Sequence, residues 1–281
     1  MSKSYSLPGC TLRQQRVNTT KNFIASTPFD IDLISGQNVT LVRGVANVVY
    51  DTAATVTAAE DGLAKLVKGI KLQVNKGSAY MEALSLQQLV LYNQHLMRGR
   101  LTNDQPSTTV SQTGVAGSVE FFFAPNLTPF DPSNPKFAIP GQYPAISSVD
   151  VVGNWGTDSD LGTGYTVSAS TGVQITEQDG WVCSNDVYPE RFPLSNGVAA
   201  LPYWQYGSLP ITAAVGNLGA QLVLPQGSLI RNIFLIIKDS SQVRSDAIVS
   251  EIAIRKSDGT PVWGPFSFSA AQKAKADDLD I

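Results

Sequence analysis

The residues that could do chemistry are few in this 281-residue chain and lie far apart in sequence. The one histidine, His95, would have to serve any Ser-His-Asp triad, and no nucleophile or second ligand stands beside it. The two cysteines, Cys10 and Cys183, lie outside any metal-like cluster, so a zinc site of the usual nitrogen and sulfur type is not indicated. We predict neither a catalytic site nor a zinc site, and we expect His95 to be a solvated helix residue.

Three pairs of carboxylates offer weaker possibilities. They are Glu60/Asp61, Asp158/Asp160 and Asp277/Asp278. A glycosidase can draw two acids from distant strands, and a Gly-rich loop carrying two aspartates can ligate Ca²⁺ through oxygen. Neither signal is specific, because plain solvated turns explain each pair. The glycines also lack both phosphate-cradling patterns, G-x-G-x-x-G and G-x-x-x-x-G-K-[ST]. We therefore predict no cofactor, no metal and no enzyme activity.

Composition restricts the class of protein further. Charged residues make up 15% of the chain, against about 25% in an average globular protein. This suggests that much of the surface contacts protein. A net charge of -3 argues against a protein whose whole surface binds nucleic acid. The N-terminus lacks a secretory signal, and no apolar run approaches the ~18 residues of a membrane span. With only two cysteines, we expect reduced thiols in a protein made in a cytosol.

The N-terminal segment is cationic. Before Asp30 its charged residues are all basic: Lys3, Arg13, Arg16 and Lys21. Residues 1–35 lack helical periodicity and contain turn formers, so we predict an extended arm. An ordinary solvated tail and an arm that faces phosphate groups are both compatible with this pattern.

A hairpin followed by a helix is the clearest local prediction. Residues 66–74 alternate with the period of a half-buried strand, and Asn75-Lys76-Gly77 supplies the turn into residues 79–84. Ser85-Leu86-Gln87-Gln88 then matches a capping box, which predicts a helix over residues 86–97. The hairpin pattern recurs 182 residues later at residues 252–259, so either a duplicated β-unit or a chance likeness of two hairpins is indicated.

The rest of the chain is rich in short strands separated by turns. Without alternating βα units, this pattern predicts an all-β sandwich or jelly roll with a few short helices. The Gly-rich stretch 156–164 suggests a division into a first roll over 36–156 and a second over 157–281. Further strands are predicted at residues 39–42, 45–50, 115–124, 146–155, 165–168, 173–176, 211–215, 220–224, 230–238, 248–256 and 262–268.

Aromatic residues concentrate in irregular stretches of the second half. Packing against neighbouring subunits is our first interpretation, while core filling and a platform for sugars or bases remain open. The candidate interface residues are Trp181, Tyr188, Phe192, Tyr203, Trp204 and Tyr206.

Several segments resemble a known family. Residues 67–97, a strand, an Asn-Lys-Gly turn, a strand and a Ser-capped helix, resemble a recurring element of the double jelly-roll major capsid proteins of tailless icosahedral phages with an internal membrane, the corticovirus and tectivirus lineage. Residues 121–125, 137–140 and 149–155 are similar to the closing of the first roll in that family, and residues 224–268 to the opening of the second.

The resemblance has one departure. Only 13 residues follow Phe268, so the second roll must be shortened or must take strands from residues 165–224. A single jelly roll with an elaborated insertion fits nearly as well. Either version of the resemblance implies a capsid protein.

The resemblance implies a structural protein of the virion, made in the host cytoplasm. Three copies would form a pseudo-hexagonal capsomer, and capsomers would build an icosahedral shell with penton and minor capsid proteins. The cationic arm would face an anionic membrane or the packaged genome, without sequence-specific nucleic acid binding. Two other classes remain open: a phage spike or carbohydrate-binding β-protein using Trp181, Trp204 and Tyr206, and a β-sandwich hydrolase with two distant carboxylates.

Overall fold

A computed structural model describes residues 8–79, 83–97, 100–125, 138–184, 233–241, 243–245, 248–256 and 258–267. The chain divides into two compact units, Met1–Leu222 and Val223–Ile281.

The described part of the first unit is built almost entirely of strands. The strands are β1 (Cys10–Asn22), β2 (Pro28–Asp32), β3 (Asn38–Ala58), β4 (Val67–Val74), β5 (Ser78–Ala79), β6 (Val115–Phe123), β7 (Ile139–Pro140), β8 (Val149–Trp155), β9 (Gly162–Val167) and β10 (Gly172–Cys183). The helices are α1 (Gly62–Lys65) and α2 (Leu86–Leu96), and a 3₁₀ turn spans Asp158–Asp160.

These strands form two antiparallel sheets. The first sheet has the order β1-β10-β3-β6, with β7 and β9 also paired to β3, and the second has the order β2-β8-β4-β5. When β7 and β9 are set aside and the other eight strands are counted along the chain, the two orders become 1-8-3-6 and 2-7-4-5. This is the strand order of a complete jelly roll, in which the first strand pairs with the last.

The core lies between the two sheets. Strand side chains alternate between faces, so every second residue of each strand points inward. Fully buried core residues come from both sheets: Ile31, Ile70, Leu72 and Val151 from one, and Val42, Val48, Phe121 and Ile175 from the other. Phe122 points to the opposite face, where it packs with Leu41 beneath the end of α2. Residues 121–123 are therefore buried on both faces of the strand.

Helix α2 begins where the capping box predicted. The Ser85 hydroxyl accepts a hydrogen bond from the Gln88 amide at 3.2 Å, and the Gln88 side chain accepts one from the Ser85 amide at 2.9 Å. Asn93 then ties the helix to β6, because its Oδ1 accepts a hydrogen bond from the backbone N–H of Phe122 at 2.8 Å. The helix therefore covers the outer face of the sheet beside Phe122.

The prediction of reduced thiols is wrong, because Cys10 and Cys183 form a disulfide bond. The two residues are 173 positions apart in sequence but directly opposite each other in the β1–β10 ladder. Their pairing follows from the jelly-roll topology, which places the first strand beside the last. Sequence spacing alone carries no sign of this contact.

The predicted N-terminal arm is extended but does not stand apart from the sheets. β1 is the edge strand of the first sheet, and β2 is the edge strand of the second. Both belong to the roll because a jelly roll needs its first two strands to pair with its last ones. The roll therefore begins near Cys10, not at residue 36.

The predicted boundary near residue 156 also falls inside the roll, since both β9 and β10 pair with β3. Gly162 and Gly164 have positive φ values of 125° and 82°. A Cβ at either position would lie within 2.1 Å of the carbonyl oxygen of Thr57 or Thr55. These glycines allow the close approach of β9 to β3, so their presence marks strand pairing and not a linker.

The described part of the second unit contains the predicted hairpin. β11 (Glu251–Arg255) pairs with β12 (Pro261–Ser267), and Gly259 occupies the turn with a φ of 85°. The strand predicted over residues 230–238 is not formed at its described positions, except for an isolated bridge from Lys238 to Arg244. The strands predicted at residues 211–215 and 220–224 lie outside the described residues, so a second jelly roll stays a prediction.

Neither of the two described helices combines the length and apolar character that a bilayer crossing requires.

Candidate functional surfaces and buried carboxylates

Three residues of the predicted cationic set lie exposed on β1: Arg13, Arg16 and Lys21. Lys3 lies outside the described residues. Arg13 and Arg16 are three residues apart in a regular part of the strand, so they point to opposite faces of the sheet. The cations therefore flank the sheet edge and do not form one flat patch. Charged side chains on an edge strand also discourage pairing with another chain.

The predicted interface aromatics are not brought together by the described structure. Trp181 is only 3% exposed and packs with Ala138 and the Cys183 end of β10, so it is a buried residue and not a surface anchor. Its position in a strand, and not in a loop, explains the difference. The other five residues, Tyr188, Phe192, Tyr203, Trp204 and Tyr206, lie outside the described residues.

The hairpin of the second unit carries exposed apolar side chains that the sequence interpretation did not select. Val262 is 62% exposed, Trp263 40% and Phe266 44%. The Trp263 and Phe266 rings are 4.9 Å apart between centroids. The available signal was the apolar run of β12, which lacks the polar alternation of a strand with one solvated face.

The turn at Asp158 and Asp160 has structural partners for both acids. Asp158 Oδ1 accepts a hydrogen bond from the Val167 amide at 3.1 Å, and Asp160 Oδ2 accepts one from the Thr157 amide at 2.8 Å. Asp160 also forms an ion pair with Lys68. These contacts account for the two acids as parts of a turn.

Asp61 was expected in a solvated acidic turn, but it is fully buried beside α1. Its Oδ1 accepts hydrogen bonds from Asn103 at 3.2 Å and Gln105 at 3.0 Å, and its Oδ2 accepts one from Gln87 at 3.0 Å. Three amide donors thus surround the carboxylate. Because a buried charge is tolerated when it is fully hydrogen-bonded, Asp61 is a structural residue that joins α2 to the loop after it.

Asp179 is a second fully buried carboxylate, on β10. Neither of its oxygens has a hydrogen-bond partner of good geometry. Burial raises its pKa to about 6, and the negative charge of Glu177 adds to this effect, while Arg43 and Gln14 oppose it. The Asp179 carboxyl therefore gains a proton near pH 6 in the folded protein.

A third buried carboxylate belongs to a cluster of aspartates on the outer face of the second sheet. Asp32 on β2 is directly opposite Asp150 on β8, and Asp30 lies two residues before Asp32 on the same face. One carboxylate oxygen from each of the three residues lies within 4.8 Å of the others. The strands therefore bring Asp150 together with two acids that lie more than a hundred residues earlier in the sequence.

Asp150 is the most buried member of this cluster, with 1% exposure. Its Oδ2 accepts a hydrogen bond from the Ser148 hydroxyl at 2.9 Å, while its Oδ1 and the Oδ1 of Asp30 are buried without a hydrogen-bond partner. Burial raises the pKa of Asp150, and the charges of Asp30 and Asp32 raise it further against the hydrogen bond from Ser148.

Sequence reasoning missed this aspartate cluster. The available signal was the alternation of acids with core residues, as in Asp30-Ile31-Asp32, where Ile31 is fully buried.

Comparison with known proteins finds no matching family model and no matching curated protein. Solved structures do match. A chain from the atomic structure of Sulfolobus Turreted Icosahedral Virus (STIV) aligns with a TM-score of 0.69 and 12% identity, covering 96% of this chain and 76% of that one. At this identity the alignment shows the fold, which is an all-β jelly roll.

Two further matches are looser. A crystal structure of the STIV major capsid protein (MCP) aligns with a TM-score of 0.46 and 15% identity, covering 59% of this chain and 48% of that one. A quasi-atomic model of the PBCV-1 virus capsid aligns with a TM-score of 0.42 and 8% identity, covering 66% of this chain and 46% of that one. The chain thus spans about half the length of these two proteins.

Proposed function

We propose that this chain is a major capsid protein, a structural component of an icosahedral virion. The observation that carries the proposal is the eight-strand jelly roll from Cys10 to Cys183 within a fold that aligns over 96% of the chain with a protein of a turreted icosahedral virus.

The surface composition supports this role. Large permanent interfaces are depleted in charge and enriched in aromatic residues. Only 15% of this chain is charged, and the β11–β12 hairpin exposes Val262, Trp263 and Phe266. We assign this hairpin to contacts between subunits, because burial there would remove exposed aromatic surface from water.

The proposed arrangement of subunits in the shell is taken from the family that the sequence resembles. Three copies, each with two rolls, would form a pseudo-hexagonal capsomer that meets neighbouring capsomers, penton proteins and minor capsid proteins. The cations of the N-terminal segment, Lys3, Arg13, Arg16 and Lys21, would approach an anionic membrane or the packaged genome through the edge of the sheet, with Arg13 and Arg16 on opposite sides of that edge. Each Lys or Arg near such a surface contributes about 1 kcal/mol.

The experiment that tests the role is electron microscopy, with mass analysis, of the purified full-length protein and of particles from its source. Closed icosahedral shells in which this 30.0 kDa chain is the most abundant component are expected. Isolated trimers or monomers that never close, together with glycan binding, would instead identify a spike or carbohydrate-binding protein.

A pair of matched variants tests the hairpin. Trp263→Asp places a charge in the proposed contact and should abolish shells while leaving the folded subunit intact. Val110→Asp alters an exposed apolar residue of similar exposure, 46%, in the first unit and should leave assembly unchanged. Normal shells from the Trp263→Asp protein would remove the hairpin from the interface.

A further inference from the structure

We propose that Asp30, Asp32 and Asp150 form a binding site for a hard divalent cation, Ca²⁺, which clamps strand β2 to strand β8. The site is distinct from the Asp158–Asp160 turn, and it would add a ligand to a protein whose proposed role is structural. It can be tested on the isolated chain, whether or not the chain builds a shell.

The spacing of the oxygens fits calcium. Ca²⁺ binds carboxylate oxygens at about 2.3–2.6 Å, so two ligands of one ion can lie up to about 4.6–5.2 Å apart. The three carboxylates each supply an oxygen within 4.8 Å of the others. Mg²⁺, with bonds of about 2.0–2.1 Å, limits this separation to about 4.2 Å and demands octahedral geometry. The cluster is assigned to Ca²⁺ because Ca²⁺ also accepts irregular coordination, with water completing the six to eight oxygens of the ion.

The burial of Asp150 is the independent sign of a ligand. A carboxylate with 1% exposure needs donors or a cation, because an unpaired buried charge is costly. The Ser148 hydroxyl serves Oδ2, but Oδ1 has no hydrogen-bond partner and the neighbouring Asp30 Oδ1 has none either. A cation between the three carboxylates would supply the opposite charge that these buried groups lack.

Among the described residues, the Lys and Arg side chains do not compensate the charge of the buried Asp150 carboxylate. The ion pair found for the cluster joins Lys76 Nζ to Asp32 Oδ1 at 3.9 Å, and both side chains are largely exposed, by 67% and 76%. This pair touches the outermost acid and leaves the charge beside Asp150 without compensation. Two aspartates instead surround the buried one, and mutual repulsion of this kind is relieved by a divalent ion.

A calcium ion here would have a mechanical consequence. Among the described residues, β2 is an edge strand paired with β8 alone, and it follows directly after β1, the edge strand of the other sheet. The ion would join side chains of β2 and β8 across the ladder, in addition to their backbone hydrogen bonds. Calcium would thereby hold the N-terminal part of the roll against the sandwich.

The test is calorimetric titration of the full-length, chelator-treated protein with CaCl₂, combined with thermal melting. We expect one Ca²⁺ per chain, a higher Tm with calcium, and weaker binding of Mg²⁺. Asp150→Asn should weaken calcium binding at least about tenfold, as expected when a carboxylate is lost from a site tuned by ligand charge. Asp158→Asn is the matched control and should bind calcium like the unmodified chain.

The Asp150→Asn protein also gives a signature that loss of folding cannot imitate. In chelator it should melt at a higher temperature than the unmodified protein, since it removes a buried charge from beside two others. In calcium this order should reverse. Absence of binding up to about 10 mM Ca²⁺, tenfold above the weakest range of extracellular calcium modules, would overturn the proposal. Equal calcium affinity of the Asp150→Asn protein would also overturn it.

Discussion

Asp61 and Asp150 are both buried carboxylates of the same jelly roll, with 0% and 1% exposure, but their surroundings are opposite. Asp61 accepts hydrogen bonds from three side-chain amides. Asp150 accepts one from a hydroxyl and otherwise faces the carboxylates of Asp30 and Asp32. Burial alone therefore does not separate a structural acid from a candidate ligand site. The donors around the acid make the distinction.

Asp179 extends the comparison. It is as buried as Asp61, yet it has neither the amide donors of Asp61 nor a cluster of acids that could share a cation. Glu177, whose negative charge raises the pKa of Asp179, forms an ion pair with Arg43 at 3.3 Å. Protonation is the remaining way to accommodate this carboxyl group, in agreement with its raised pKa.

Removing the carboxylate of Asp61 should have the largest effect. Asp61→Ala would leave the amide groups of Gln87, Asn103 and Gln105 without their shared acceptor. Breaking a buried charged network in this way costs about 3–5 kcal/mol of unfolding free energy. Urea denaturation measures the loss. The exposed Asp104, replaced by alanine, is the control: it loses the hydrogen bond from the Ser118 amide at 2.8 Å and should cost only about 1 kcal/mol. Equal losses in the two variants would contradict the buried role of Asp61.

Asp179→Asn should have a smaller effect of opposite sign. The pKa of Asp179 is about 6 when folded and about 3.9 when unfolded, so the folded state binds more protons between these values. Stability therefore falls as the pH rises from about 4 to about 6, and the cost persists at higher pH. The asparagine variant should lack this loss and should be about 2 kcal/mol more stable than the unmodified protein at pH 8.

Melting curves at pH 5 and pH 8 check the Asp179 prediction. The advantage of the asparagine variant should grow from the lower to the higher pH. A pH-independent difference between the two proteins would mean that the titration of Asp179 does not set the stability.

Removing one of the side chains that donate to Asp61 should lower the free energy of unfolding by less than removing Asp61 itself. Gln87 is 4% exposed and donates to Asp61 Oδ2 at 3.0 Å. Gln87→Met keeps the approximate shape of the side chain and removes this donor, at a cost of about 1.5 kcal/mol. In a double-mutant cycle the loss should largely disappear in the Asp61→Ala background. Full additivity of the two losses would show that the two side chains do not act through each other.

Local features of this chain were accessible from sequence, whereas contacts between distant segments were not. The capping box at Ser85 and the turn at Asn75-Lys76-Gly77 depend on neighbouring residues, so their types predict the observed helix start and hairpin. The Cys10–Cys183 bond depends on which strands pair. The all-β class was predictable, but the limits of the roll were not.

The candidate sites show the same division. The acids Asp158 and Asp160 are two residues apart in sequence and are therefore easy to select as a pair, although both have structural partners. Asp150 joins Asp30 and Asp32 only through the β2–β8 ladder, and its burial cannot be read from its neighbours Val149 and Val151. The alternation of acids with apolar residues places them on one face of a strand, but it does not reveal which strand lies opposite.

Asp32→Asn should have the smallest effect on stability and is the sharpest test of the two kinds of carboxylate. Asp32 is 76% exposed, and exposed ion pairs such as Lys76–Asp32 contribute about 0–1 kcal/mol. The loss of this ion pair is offset by weaker repulsion with Asp150. In the presence of chelator, the free energy of unfolding should therefore change by less than about 0.5 kcal/mol. Calcium affinity should nevertheless fall, because one of three carboxylate ligands is removed. Titration and melting of the same sample separate the two effects: a variant with unchanged stability and unchanged calcium affinity would show that Asp32 is an ordinary surface residue.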